Sequence, residues 1–190
     1  PTSFKLAIFG VGVAMLIGIP LGILSSVKQY SKADVFLTTL AMVLNSMPTF
    51  WFGLMLIILF SLKLGMLPSI GLTTPAHYIL PVAALASYTI AGLLRLTRTT
   101  MLETIRQDYV RTARAKGQKE SVVIFRHALG NALLPVITYA GMAFGKMVGG
   151  VVAVETVFSI DGVGNMVLTA IRNKDVALVT GGIVCLASIY

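Results

Sequence analysis

Four long stretches with almost no formal charge limit the fold of this chain more than any other feature. Residues 6–27, 35–62 and 78–94 contain no Lys, Arg, Asp or Glu, and residues 133–154 contain only Lys146. An α-helix needs about 20 apolar residues to cross the hydrocarbon core of a bilayer. The chain is 56% hydrophobic and 12% charged, about half the charged fraction of a soluble domain. The sequence therefore predicts an all-α, polytopic transmembrane helical bundle.

The two ends of the chain suggest a longer parent protein. A fifth apolar stretch, residues 176–190, stops where the chain stops, so we predict about five spans, the last one incomplete. The chain begins with Pro1, and only Lys5 precedes the first span. A signal peptide has a basic leader and a cleavage site flanked by small residues. Neither is present, and we expect an internal piece of a larger membrane protein.

The distribution of basic residues predicts the orientation of the loops. Cytoplasmic loops of membrane proteins carry an excess of Lys and Arg. The loops after the first and third spans hold ten of the 15 basic residues. These ten are Lys28, Lys32, Arg95, Arg98, Arg106, Arg111, Arg114, Lys116, Lys119 and Arg126. We therefore place residues 95–135 in the cytoplasm, attribute the net charge of +8 mostly to this bias, and expect no nucleic-acid partner.

Several residues inside the spans are candidates for packing or transport. Pro48 is near the middle of the second stretch, where proline is expected to kink a helix. Asn45 and Ser46 just before it either line a polar path or hydrogen-bond a neighbouring helix. Lys146 is an intramembrane charge, which suggests a place in a translocation path, although it could equally snorkel or pair with a carboxylate.

Glycines spaced four residues apart predict close contacts between helices. Gly18 and Gly22 form one such pair, and Gly141, Gly145 and Gly149 form a longer series in the fourth span. Small residues at this spacing let two backbones approach each other in a membrane. Packing within the bundle and packing against another subunit both remain open.

Glycines also mark a turn at the outer end of the fourth span. Glu155 and Asp161 stand beside Gly162 and Gly164, a composition that favours a tight turn over a helix. A short amphipathic helix is predicted over residues 162–171. The region is either an ordinary surface loop or a functional element, an outer gate or a docking site for a solute receptor.

The docking segment, residues 109–135, is basic and helix-prone and lies between two membrane spans. Such an element is typical of a membrane protein that docks on a soluble partner. The sequence has no GxxxxGK[ST] nucleotide loop and no HExxH pair, and its histidines are His77 and His127 alone. We expect no catalytic residue and no metal site in this chain. Energy for transport would come from a bound partner or a coupled ion.

The residues of the docking segment resemble a known signature. YVRTARAKG at 109–117, RHAL at 126–129 and NALLP at 131–135 resemble the EAA loop of ABC-importer permeases. The resemblance is to B-type permeases of the dipeptide, oligopeptide and nickel branch, and it runs over essentially the whole chain. Arg111 and Thr112 precede Ala113 where the general pattern opens with Glu-Ala-Ala.

The resemblance implies a domain and a set of partners. Residues 1–190 would be a permease domain without its first helix, outer domain and C-terminal end, and residues 95–135 would form the cytoplasmic coupling region. Two separate ATPase subunits, which bind ATP and Mg²⁺, would hold the coupling helix in a groove. The coupling residues would be Arg111, Ala113, Arg114, Ala115, Lys116, Gly117 and Gln118. The expected partners also include a second homologous permease, which would form a heterodimer with this chain, and an extracytoplasmic solute-binding protein. The assembly would lie in the lipid of a bacterial or archaeal inner membrane.

The expected function is ATP-driven import of di- or oligopeptides by alternating access. Glutathione, nickel or another metal chelate are alternative solutes in the same branch. A secondary transporter driven by an ion is the alternative from another class, suggested by Lys146, Asn45 and the proline-broken span.

Overall fold

Three long helices form the frame of the molecule. The computed structural model describes residues 2–188 and is helical in these residues, without a β-strand. Helix α1 covers Thr2–Val27. Two later helical stretches are, like α1, long and apolar enough to cross a membrane: Pro75–Ile105 and Glu120–Val157. The prediction of an all-α membrane bundle is confirmed.

The second predicted span is two helices at a sharp angle. Helix α2, Lys32–Ser46, and helix α3, Thr49–Leu56, which continues as π-helical turns over Ile57–Lys63, meet at 106°. Pro48 has no N–H to continue α2, and its ring forces the preceding Met47 into extended backbone with φ −87° and ψ 128°. The break is therefore much sharper than the kink that the sequence predicts.

The remaining elements follow in chain order, and the last of them, the fifth predicted span, is a short helix in the described residues. After a 3₁₀ turn at Pro75–Tyr78, helix α4 covers Ile79–Ile105. In the docking segment, α5 covers Asp108–Ala115 and a single turn, α6, covers Glu120–Val122. Helix α7 (Leu129–Val157), α8 (Val163–Arg172) and α9 (Val176–Ala187) complete the order. Ile189 and Tyr190, the last residues of the predicted fifth span, lie outside the described residues.

Small residues let α1 and α4 pack backbone against backbone. A Cβ on Gly18 would stand 2.8 Å from the Cβ of Leu93, and one on Gly22 would stand 2.7 Å from the carbonyl oxygen of Leu94. Both distances are shorter than carbon contacts allow, so only glycine fits at these positions of α1. The close approach gains dispersion contacts that lipid cannot supply.

The glycine series in α7 does not make a comparable contact within the described part of the chain. A Cβ on Gly141 or Gly149 would meet no atom within 4 Å, whereas Gly145 is buried. Within residues 2–188, Gly141 and Gly149 therefore make no helix-packing contact, and their contact with another subunit stays a prediction.

A buried ion pair fixes the N-terminal end of α2 against α4. Asp34 is 3% exposed, and its carboxylate accepts hydrogen bonds from Nε and Nη2 of Arg98 at 2.7 and 2.8 Å. The Ser25 hydroxyl and the Tyr30 backbone N–H also donate to this carboxylate. One side chain thus joins α1, the following turn, α2 and α4.

Candidate functional site

The docking segment is a helix–turn–helix whose turn depends on glycine. Helix α5 ends at Ala115, and Gly117 follows with φ +75°, in the left-handed region. The Gly117 N–H donates to the carbonyl oxygen of Arg114 at 2.9 Å, which satisfies one of the free carbonyls at the end of α5. The next helical residue is Glu120. A residue with a Cβ would be strained at this φ, which explains the glycine.

Three side-chain contacts hold the two arms of the turn together. Arg114 forms a forked ion pair with Glu120, with its Nη2 2.6 Å from Oε1 and its Nε 3.1 Å from Oε2. Hydrogen bonding to Glu120 raises the pKa of the Arg114 guanidinium. Further contacts join His127 to Gln118 at 2.6 Å, and Asn131 to the Tyr109 hydroxyl at 2.7 Å. The segment is therefore cross-linked along its length.

The inner face of the docking segment packs against both neighbouring membrane helices. Val110 is fully buried and Ala113 is 6% exposed. They share a hydrophobic cluster with Met101 of α4 and with Val123 and Ala128, which lie in the π-helical turns just before α7. Ala113 is one of the coupling residues that the resemblance implies. In the structure it belongs to the core that carries α5, because it follows Val110 by three residues on the same helix face.

The other predicted coupling residues are accessible. Their exposed positions are Arg111, Arg114, Ala115, Lys116, Gly117 and Gln118. Arg111 makes a 3.5 Å contact with Asp108, and both side chains are mostly exposed, so this pair is expected to add little stability. The surface that α5 and the turn offer to solvent is therefore basic and rests on an apolar base.

A cavity of about 120 Å³, called the polar cavity below for the five polar residues among the ten that line it, opens beside the break between α2 and α3. Its polar lining consists of Thr49 at the start of α3, Tyr88 and Thr89 on α4, and Tyr139 and Lys146 on α7. No salt bridge to Lys146 is formed within residues 2–188. The Lys146 side chain is exposed on α7 and borders this cavity, and a charge in a membrane helix is costly unless it faces a polar space or a counter-ion.

The structure does not bring all predicted path residues together. Asn45 and Ser46 are exposed on α2 and do not line the polar cavity. The Ser46 hydroxyl donates to the carbonyl oxygen of Met42 at 2.9 Å, one turn earlier in its own helix. Lys146 instead shares the cavity with Tyr88 and Tyr139, which the sequence did not single out because aromatic residues are common in apolar helices.

The predicted outer gate contains a buried carboxylate. Glu155 is 0% exposed, and its side chain accepts hydrogen bonds from the Ser3 hydroxyl at 2.5 Å and from the Asn165 backbone N–H at 3.0 Å. The Ser3 oxygen in turn accepts from the Val163 N–H at 3.0 Å. Glu155 therefore caps the N-terminus of α8, where the helix dipole favours a negative charge.

The two glycines of the outer turn make room for this carboxylate. A Cβ on Gly162 would collide with the Glu155 carboxylate, and one on Gly164 would stand 2.7 Å from the Val152 Cα. Asp161 is exposed and takes no part in the cap. Three of the four predicted gate residues thus form one structure, which joins the outer ends of α1, α7 and α8.

Together, these features define a polytopic membrane protein with a rigid helix–turn–helix between two of its membrane helices. Residues 18–190 match the family described as "Binding-protein-dependent transport system inner membrane component". The match covers most of the chain, and the chain belongs to this family of multi-pass membrane transport components.

Known relatives and one solved structure agree with this assignment. The chain is 41% identical over 185 residues to the oligopeptide transport system permease protein AppB of Bacillus subtilis, covering 92% of the chain and 58% of the relative. It is 39% identical over 173 residues to the glutathione transport system permease protein GsiC of Pectobacterium atrosepticum, covering 91% of the chain and 56% of the relative. The chain thus spans less than two thirds of either relative.

The fold is also that of a solved transporter. A chain of the MetNI methionine ABC transporter in an inward-facing conformation superposes with a TM-score of 0.72, covering 99% of this chain and 93% of that chain at 18% identity. At this identity the likeness concerns the fold.

Proposed function

We propose that this chain forms the translocation path of an ATP-driven ABC importer for di- or oligopeptides. It works with a second, homologous permease in a heterodimer and with two ATPase subunits that bind ATP and Mg²⁺. An extracytoplasmic binding protein delivers the solute, and the assembly lies in the lipid of the inner membrane. The observation that carries the proposal is the docking segment: an exposed basic turn at Gly117, cross-linked by Arg114 and Glu120, on a buried apolar base.

The packing of α5 supports a mechanical role. Its buried residues Val110 and Ala113 contact the end of α4 and the approach to α7 in one cluster. Protein interiors are close-packed and transmit displacement. A partner ATPase that moves α5 would therefore move both helices together, as alternating access by rigid-body rocking requires.

The solute is proposed from the relatives. AppB is named for oligopeptides and GsiC for glutathione, and both solutes contain peptide bonds and free carboxylates. We therefore favour peptides over nickel chelates. The binding protein is expected to make most of the selection.

One observation favours a second candidate, an ion-coupled carrier. Lys146 lies inside α7, faces the polar cavity and has no salt bridge within residues 2–188. Such a residue is typical of ion and proton pathways. In that case transport would depend on the charge of Lys146 and would tolerate changes in the docking segment.

A matched pair of glycine variants separates the two candidates. The full-length protein, its partner permease, ATPases and binding protein would be reconstituted in liposomes, and peptide uptake and ATP hydrolysis measured together. Gly117 and Gly65 both have positive φ, +75° and +62°, and a Cβ at either meets open space. Only Gly117 lies in the docking segment.

We expect Gly117→Trp to abolish uptake and peptide-stimulated ATP hydrolysis, and Gly65→Trp to keep most of both. Similar mild effects of the two variants would contradict the docking proposal. If Lys146→Gln abolished uptake while Gly117→Trp did not, the ion-coupled carrier would replace it.

A further inference from the structure

The polar cavity beside Lys146 has a charge pattern that points to one kind of ligand group. Its lining contains one cation, hydroxyl groups and apolar side chains, and no Asp or Glu. A peptide carries an ammonium at one end and a carboxylate at the other. Only the carboxylate meets a complementary charge here.

Two tyrosines border the same cavity and carry phenol groups. Tyr88 and Tyr139 lie on α4 and α7, which run in opposite directions, and both line the same cavity as Lys146. Tyr139 packs over Gly92, where any Cβ would collide with the phenol hydroxyl. This close contact fixes the ring. Phenol hydroxyls can donate to a carboxylate, and such hydrogen bonds are stronger than those between neutral groups.

A second cation continues the pattern toward the cytoplasm. Arg95 follows Tyr88 by two helical turns, so it lies on the same face of α4 about 10 Å along the helix. The order along the bundle is therefore Lys146, the two phenols and then Arg95, with Arg95 at the cytoplasmic end.

We propose that Lys146, Tyr88 and Tyr139 form a transient binding site for the carboxylate of the transported solute, at the side of the α2–α3 break where Thr49 begins α3. The inference rests on the proposed function, because it supposes that the cavity is part of the translocation path. One ammonium and two phenols hold a carboxylate without enclosing it. Weak, open sites of this kind allow a solute both to enter and to leave.

The test compares a free peptide acid with its amide. The complete importer, reconstituted in liposomes, would take up dialanine and dialanine amide, each at a concentration that saturates the binding protein. Lys146→Gln should slow uptake of the acid by about tenfold or more, the loss expected for one charge-assisted hydrogen bond, and leave uptake of the amide unchanged. Lys146→Arg should restore the acid rate.

Two controls separate this site from a structural role. Lys63→Gln removes an exposed lysine at the end of the π-helical turns, away from the polar cavity, and should alter neither rate. The thermal midpoint of the assembled complex and its peptide-stimulated ATP hydrolysis should be the same for Lys146→Gln and wild type. Tyr139→Phe provides a milder variant, which should reduce uptake of the acid and spare the amide.

The outcomes are distinct. Equal loss for acid and amide, with a lower thermal midpoint, would mean that Lys146 pairs with a carboxylate of another subunit, and it would overturn the inference. Unchanged uptake of the acid by Lys146→Gln would overturn it as well. A wild-type complex that accumulates neither compound on ATP addition would instead refute the proposed function.

Discussion

At the scale of single residues, the outer turn is held together by a carboxylate that has no contact with solvent. Glu155 accepts hydrogen bonds from two different elements, the Ser3 hydroxyl on α1 and the Asn165 N–H on α8. Burying a carboxylate is unfavourable unless such donors replace water. The neighbouring glycines are needed because a Cβ on Gly162 would collide with this carboxylate, and one on Gly164 would collide with Val152 and approach the carboxylate.

The change Gly162→Ala is expected to destabilise this turn. Gly162 has φ −131°, which alanine adopts without strain, so the effect is steric: the added methyl would displace the Glu155 carboxylate from its donors. We expect a loss of about 2 kcal/mol in the free energy of unfolding, in the range for overpacking. Unfolding of the purified protein in a denaturing detergent series measures it.

Gly141→Ala serves as the control for this experiment. A Cβ at Gly141 meets no atom within 4 Å, and alanine favours a helix interior over glycine by roughly 0.5–1 kcal/mol. The two substitutions add the same methyl group and should act in opposite directions. Equal effects would show that the Glu155 cap contributes nothing to stability.

At the scale of helices, the α1–α4 contact depends on the absence of side chains. Gly22→Leu should separate the two helices, because even a Cβ there stands 2.6 Å from the Cβ of Thr97. The expected cost is about 3 kcal/mol, at the upper end for overpacking, seen as a lower thermal midpoint and reduced assembly with partner subunits. Gly12 lies on the same helix with open space around it. The control Gly12→Leu should therefore change neither the thermal midpoint nor the assembly with partner subunits.

The ion pair that links α2 to α4 offers a second test at this scale. Removing one partner of a buried pair leaves the other charge without compensation, at a cost of about 3–5 kcal/mol. The Asp34 side chain is 4% exposed, but that of Arg98 is 22% exposed, so we expect about 3 kcal/mol for Asp34→Ala. A double-mutant cycle with Arg98→Ala should show that the two losses do not add.

The surface pair of Asp108 and Arg111 is the comparison for that cycle. Its side chains are 97% and 74% exposed, and the closest atoms are 3.5 Å apart. The same cycle there should give a coupling energy near zero. A coupling at Asp34 and Arg98 as small as this one would mean that the buried pair does not hold α2 in place.

Some of these elements could be predicted from sequence and others could not. The helix expected over residues 162–171 is found as α8, and the break at Pro48 follows from the chemistry of proline. Local patterns determine both. Asp34 and Arg98 are 64 residues apart in the sequence, and no pattern within either helix says that they meet. The polar cavity around Lys146 escaped prediction for the same reason, since it requires the packing of α4 against α7.

At the scale of the whole molecule, the proposed transport mechanism requires that movement of the docking segment reaches the outer turn. Helix α7 provides a route between these two regions. The cluster under the docking segment contains Met101 of α4 and Ala132 of α7, and α7 continues to Glu155, whose carboxylate caps α8. One helix, α7, thus joins the docking segment to the outer turn.

The apolar base of α5 should therefore set how much transport each ATP produces. Val110→Ala leaves the exposed basic surface intact and removes buried methyl groups, at a cost of about 1–2 kcal/mol. We expect the ATPase to bind and hydrolyse ATP as before, while peptide transported per ATP falls several-fold, because a looser contact passes less of the movement to α4 and α7. Thr112→Ala, on the exposed face of α5, is the matched control and should keep the wild-type ratio. If both variants kept it, force would have to enter the membrane helices by another route than the base of α5.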